Sequence, residues 1–182
     1  AMQAATKATQ AAVQAARASA QRYLDFFPSD ADAARAQYIG ALSFYDQISD
    51  VGRDQGDTVR ALQSLNEVIK RYPNSEFARA AKLKRDLTFD NLAGKEMTVG
   101  RFYLGQGHYI AAINRFRVVV DEYSGTSQAP EALHRLVESY LALGVVEEAQ
   151  NAAAVLGHNF PGSDWYVDSY ALLTGERLKA TF

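Results

Sequence analysis

With 182 residues, 48% of them hydrophobic and 22% charged, the chain has the composition of a folded protein and enough length to bury a substantial core. A formal net charge of -2 and no run of Lys and Arg exclude the clustered basic surface that nucleic-acid phosphates require. The absence of cysteine excludes disulfides, thiolate metal sites and a cysteine nucleophile within these residues, and no apolar stretch reaches the ~18 residues of a spanning helix.

The chain opens on the alanine-rich AMQAATKATQAAVQAARASAQ, which lacks the apolar middle of a signal peptide, and runs into YLDFFPSD. Three of the four prolines follow an aromatic residue: Pro28 in DFFPSD, Pro73 in KRYPNSE and Pro161 in HNFPGSD. An alanine stands twelve residues before each of them, at Ala16, Ala61 and Ala149. A fourth copy has Ala112 and, twelve residues on, Ser124 in DEYSGTS, where Tyr123 keeps the aromatic. Recurrence of this kind is the mark of a repeat architecture. The first copy ends a second helix whose partner helix is missing, so an incomplete repeat is expected over 1–29. A full repeat follows over 30–73, its extra length assigned to a surface loop in the Gly- and Asp-rich SDVGRDQGDT, Ser49 to Thr58.

From Ser75 to Gly107 there is no proline, which predicts one long helix shared between neighbouring units, with Gly94 as a possible kink, inside a repeat over 75–124. Within GRFYLGQGHYIAAINRF, Gly100, Tyr103, Ala112 and Phe116 reproduce the tetratricopeptide pattern G-x2-Y…A-x3-F. Leu136, Tyr140, Ala149 and Pro161 repeat it over 128–161, again with Ala nine positions after Tyr. The closing DWYVDSYALLTGERL predicts an amphipathic helix over 163–180 that caps the last pair. The predicted fold is all-α: a tetratricopeptide-repeat superhelical solenoid of antiparallel helix pairs with one long shared helix and a C-terminal capping helix.

The residue types follow from packing. A close helix crossing needs small residues, the role given to Gly100 and Ala112, with Tyr103 and Phe116 filling the space beside it. Ala61, Gly100, Ala112, Phe116, Leu136, Tyr140, Ala149 and Pro161 are expected to form the repeat core. Gly107 and Gly144 each follow an apolar helix where a left-handed residue ends it. In the helix after Gly107, Ile110, Ile113, Phe116, Val120 and Tyr123 step by three or four as an apolar stripe, with Arg115, Arg117, Asp121 and Glu122 off it. Ser75 and Ser163 stand where helix caps are wanted.

Chemistry is sparse. His108, His134 and His158 have no metal-ligand spacing and read as surface or loop-edge residues; Asp121–Glu122 and Glu147–Glu148 are adjacent and diverge on a helix; Gly105-x-Gly107 lacks the strand of a phosphate loop. Trp165 and Tyr166 read as packing beneath the preceding helix pair. No catalytic residue, metal or cofactor is expected. Arg115, off the stripe beside Asn114 and with Arg101 and Arg117 in the same repeat, reads equally as a partner contact or as a solvated surface charge.

RYPNSE, LAGKEMTVGRFYL, YIAAINRF, EALHRLVESYLALG and FPGSDWY together resemble the BamD family, the lipoprotein subunits of the outer-membrane β-barrel assembly machine. The resemblance is close over Val68–Tyr166 and confined to repeat pattern in the N-terminal third. It implies a non-catalytic protein of five tetratricopeptide-type repeats at the periplasmic face of a Gram-negative outer membrane. It implies as partners the POTRA domain of BamA, other assembly-machine lipoproteins and unfolded outer-membrane protein substrates. Membrane contact would run only through an N-terminal lipid on a cysteine that these residues lack, so the chain is expected to be truncated at its N-terminus. The family's partner-contacting arginine falls on Arg115, with Asn114, Tyr103, Gly107 and Tyr109 shaping the same surface. A different reading of the repeats is a periplasmic adaptor coordinating cell-envelope or cell-wall synthesis; a third is a solenoid supporting a catalytic domain that lies outside the sequence.

Overall fold

The computed structural model describes residues 2–48 and 55–175, with side chains from Ala8 and, after the break, from Gly56. Every regular element among them is a helix: α1 Met2–Phe26, α2 Ala33–Tyr45, α3 Gln55–Arg71, α4 Glu76–Gly105, α5 Tyr109–Glu122, α6 Ala129–Ala142, α7 Val146–Asn159 and α8 Asp164–Thr174. Neighbouring helices joined by short turns run antiparallel and pack pairwise, the arrangement of a tetratricopeptide-like repeat protein. The chain forms two compact units, 1–88 and 89–182, and α4 gives its first part to one and its second part to the other.

In the N-terminal unit α2 packs between α1 and α3. Leu65 and Val68 of α3 meet Ala41 and Ala81, with Tyr38, Tyr45 and Phe77 closing the cluster. Buried alanines (Ala33, Ala36, Ala61, Ala78) let these helices approach closely. Arg17 ties α1 to the end of α2: its Nε donates to Ser43 Oγ at 2.9 Å, its Nη2 to Gln47 Oε1 at 3.1 Å, and the guanidinium lies 3.8 Å over the Phe44 ring. The turn after α1 is held by Asp30, whose carboxylate accepts from the Tyr23 hydroxyl at 2.6 Å and from the Asp32 N–H at 2.9 Å. That bond pushes the Tyr23 phenol up to about 12 and lowers the Asp30 carboxyl.

In the C-terminal unit Phe116 and Val119 of α5 sit between Met97 of α4 and Leu136 and Val137 of α6, and Ala149, Ala152 and Ala153 bring in α7. Gly100 faces the Phe116 ring so closely that a Cβ there would lie 2.4 Å from Cε1. The α4–α5 and α6–α7 turns are built alike. Gly107 and Gly144 adopt φ of 74° and 75°, and the N–H of the next residue donates five residues back, His108 to Tyr103 and Val145 to Tyr140, each at 2.9 Å. This is the left-handed helix ending that favours glycine. On the opposite end of the unit, Asp90 accepts from Ser127 N and Oγ at 3.0 and 2.7 Å and pins the α5–α6 turn to α4. Ser75 and Ser163 accept from the N–H three residues on, at 3.0 and 3.2 Å, and cap α4 and α8.

Several expectations are corrected. Ile110 is 67% exposed and outside the core, while Val119 is buried. At 100° per residue Ile110 points ~120° from Phe116, so the true stripe is Ala112, Ile113, Phe116, Val119, Val120 and Tyr123. Of the loop expected over Ser49–Thr58, Ser49–Asp54 lie outside the described residues, and Gln55–Thr58 are already helical. There Asp57 occupies the first turn of α3, where the free N–H groups favour a carboxylate, and Thr58 is buried. The helix of α4 continues through Gly94. Pro161 is exposed in the turn after α7: it ends the helix without entering the core. Ala16 is exposed although Ala61 and Ala149 are buried, because the buried face of α1 carries Ala20 instead. Within the expected capping helix, α8 ends at Thr174, Gly175 forms its left-handed cap, and 176–180 lie outside the described residues.

Candidate functional site

Among the described residues, one constellation has the look of catalysis, and it is structural. His134, expected at the surface, is buried. Its Nδ1 lies 2.8 Å from Ser169 Oγ and its Nε2 3.5 Å from Glu138 Oε1. A proton on Nε2 serves both neighbours, donating towards Glu138 while Nδ1 accepts from the Ser169 hydroxyl. The set imitates a Ser–His–acid triad, but Ser169 is 0% exposed, so its hydroxyl is shut away from solvent. Its work is to clamp α8 onto α6. Trp165 stacks 5.1 Å from the His134 ring, and Arg135 reaches both Glu138 at 2.7 Å and Glu131 at 3.3 Å while lying 5.3 Å over the indole. The hydrogen bond from His134, joined by Arg135, holds the Glu138 carboxyl below its usual range against the opposing effect of burial. Among the described residues no cluster of His, Asp and Glu has the makings of a metal site.

The residues proposed from sequence for partner contact occupy two places. Tyr103, Gly107 and Tyr109 gather at the α4–α5 turn, Gly107 exposed, Tyr103 half-buried against the core and edge-on to His108. Asn114 and Arg115 lie about 9 Å further along α5 at 1.5 Å per residue, both exposed. Arg115 Nη1 is 3.1 Å from Glu96 Oε2 of α4. Arg101 and Arg117 do not join it: Arg101 pairs with Glu131 of α6, and Arg117 with Asp121 on the other flank of α5. Three cations of one repeat therefore serve three separate ion pairs.

Sequence reasoning missed an apolar edge. Phe102 and Ile110 flank the α4–α5 turn, and Leu143, Val145 and Val146 form the α6–α7 turn; all five are exposed. Alternating helix direction puts both turns, and with them all five residues, at the same end of the unit. The available signal was an apolar residue off the core period, as Ile110 is. Exposed apolar side chains that cluster mark interaction surfaces.

Stacked helix pairs whose one triad-like cluster holds α8 on α6, and whose turns present apolar side chains, define a helical-repeat interaction scaffold. The chain belongs to the YfiO family of outer membrane lipoproteins, a non-catalytic family whose model matches residues 3–156. It is 49% identical over 160 residues to the outer membrane protein assembly factor BamD of Caulobacter vibrioides, across 88% of this chain and 52% of that protein. To the protein of the same name from Rickettsia prowazekii it is 47% identical over 151 residues, across 83% of this chain and 60% of the relative. The counterpart from Neisseria meningitidis serogroup A is 35% identical over 118 residues. The chain thus spans roughly half to three fifths of the length of the two most similar of these relatives.

Proposed function

We propose that the chain is a non-catalytic scaffold subunit of the outer-membrane β-barrel assembly machine. In this reading it binds the periplasmic POTRA region of BamA, works beside other assembly lipoproteins and helps insert unfolded β-barrel precursors. It acts at the periplasmic face of the outer membrane, where an N-terminal lipid anchors the full-length protein. The names of the relatives, outer membrane protein assembly factors, support the setting. The observation that carries the binding role is the exposed apolar edge at the α4–α5 and α6–α7 turns, which adjoins Tyr103, Gly107 and Tyr109. Arg115 and Asn114 supply a polar contact further along α5. The spans 30–73, 75–124 and 128–161 serve as the successive repeats, each holding one helix pair, α2/α3, α4/α5 and α6/α7.

Titration of the chain with the purified POTRA region tests this. Wild type should bind, and Arg115→Glu and Phe102→Glu should each weaken binding at least tenfold, ~1.4 kcal/mol. No binding by well-folded wild type, or full affinity in both variants, sinks the proposal.

A further inference from the structure

A second surface lies between the helices of the C-terminal unit. Helices α5 and α7 both pack on α6, and among the described residues they make no helix contact with each other. The gap between them is a groove of about 500 Å³ floored by α6. Each helix supplies one stripe at helical spacing. Leu133 and Leu136 form the floor with Ala152, and Tyr140 stands at one end. Arg117 and Asp121 line the α5 wall; Glu148, Asn151 and Val155 line the α7 wall at i, i+3 and i+7.

The chemistry of the two walls narrows the occupant. The floor is apolar and Val155 is an exposed apolar side chain, so a bulky apolar group gains by entering. Both walls carry a carboxylate. Asp121 is only loosely paired, 3.9 Å from Arg117 with both side chains mostly exposed, and Glu148 has no ion-pair partner among the described residues. Arg117 offsets Asp121, so the walls keep one net negative charge, on Glu148, and the groove favours a cation beside the apolar group. Asn151 is exposed, with no hydrogen-bond partner for its side chain among the described residues. A carboxamide presents a donor and an acceptor together, which match the N–H and C=O of one peptide unit. Only an extended backbone has these free, since a helix uses its own.

We propose that the α5/α6/α7 groove binds an extended polypeptide segment carrying a bulky apolar side chain flanked by Lys or Arg. This goes beyond the partner reading above, because the groove lies between helices and does not include Phe102 or Arg115. The probe is a fluorescein-labelled peptide with a central Phe between two Lys residues; its counterpart has Glu in place of both Lys. Fluorescence anisotropy with the full chain should show binding of the basic peptide and at least tenfold weaker binding of the acidic one. Glu148→Lys should weaken the basic peptide at least tenfold and Asn151→Leu about fivefold, both being exposed positions whose variants fold. Glu147→Lys is the control, with the same charge change one residue away on the outer face of α7, and Phe102→Glu a second; both should leave the affinity within twofold of wild type. Absence of binding, equal affinity for the two peptides, equal effects of Glu147→Lys and Glu148→Lys, or full affinity in Asn151→Leu overturns the proposal. Loss of POTRA binding in Phe102→Glu with peptide binding intact separates the two surfaces.

Discussion

Gly94 and Gly100 both lie inside α4, and alanine at the two positions should move stability in opposite directions. Replacing glycine by alanine in a helix interior gains ~0.5–1 kcal/mol from reduced freedom of the unfolded chain. At Gly94 a Cβ meets nothing within 4 Å, so that gain should appear in full. At Gly100 the same Cβ would stand 2.4 Å from Phe116 Cε1, 2.8 Å from Cδ1 and 2.9 Å from Cζ. Carbon atoms rest ~3.5–4.0 Å apart, so the ring must retreat by about 1 Å. Phe116 is 0% exposed and boxed in by Met97, Ala112 and Leu136, which leaves it nowhere to go. Overpacking of this kind costs ~1–3 kcal/mol, which outweighs the helix gain. The two variants should differ by about 2 kcal/mol, or roughly 4–8 °C in Tm for a chain of this size. Thermal and urea denaturation followed by helical circular dichroism measure the difference. Gly100→Ala as stable as wild type would refute the crossing geometry. Phe116→Leu, which removes the ring edge, should restore part of the loss, with a coupling of about 1 kcal/mol in the double-mutant cycle.

Ser169→Ala leaves His134 Nδ1 buried without its partner and should cost ~1–3 kcal/mol; Trp165, the sole tryptophan, stacks on that histidine, so its fluorescence should report loosening of α8, and an unchanged spectrum and Tm would contradict the clamp. Arg115→Glu should alter stability by less than ~1 kcal/mol, since its pair with Glu96 is half-exposed, whereas Ala112→Phe, at a fully buried crossing, should damage folding; equal melting losses in the two would overturn that contrast. Glu138 has its folded-state pKa lowered, so its contribution is present above its ordinary value of 4.5 and is lost as pH falls through the lower folded value. Glu138→Gln should therefore flatten the acid limb of a stability–pH curve, and an unchanged slope would show that the carboxylate does not carry it.

The fold was legible because it is written in the buried positions. Close crossings demand Gly100, Ala61, Ala112 and Ala149, and left-handed helix ends demand Gly107 and Gly144; both demands recur at fixed intervals, so repetition exposes them. The start of α3 was less legible because Gly56 and Asp57 carry the same composition in a loop and in a first helical turn. His134 was expected at the surface for a related reason. Its partner Ser169 is 35 residues away on α8, and nothing in local spacing predicts that a polar pair will meet across two helices.

The binding surface was harder, and the arginines of α5 show why. In the sequence Arg115 and Arg117 stand two residues apart, in the same repeat as Arg101. On the helix they stand ~160° apart, on opposite flanks of the Phe116 stripe. One reaches Glu96 of α4; the other turns to Asp121 at the groove facing α7. A partner that contacts Arg115 therefore need not touch Arg117, and charge reversal at the two positions should separate POTRA binding from peptide binding. Arg115→Glu is expected to weaken the first and leave the second unchanged. If it weakens both to the same degree, the two flanks act as one surface and the division of labour between edge and groove fails.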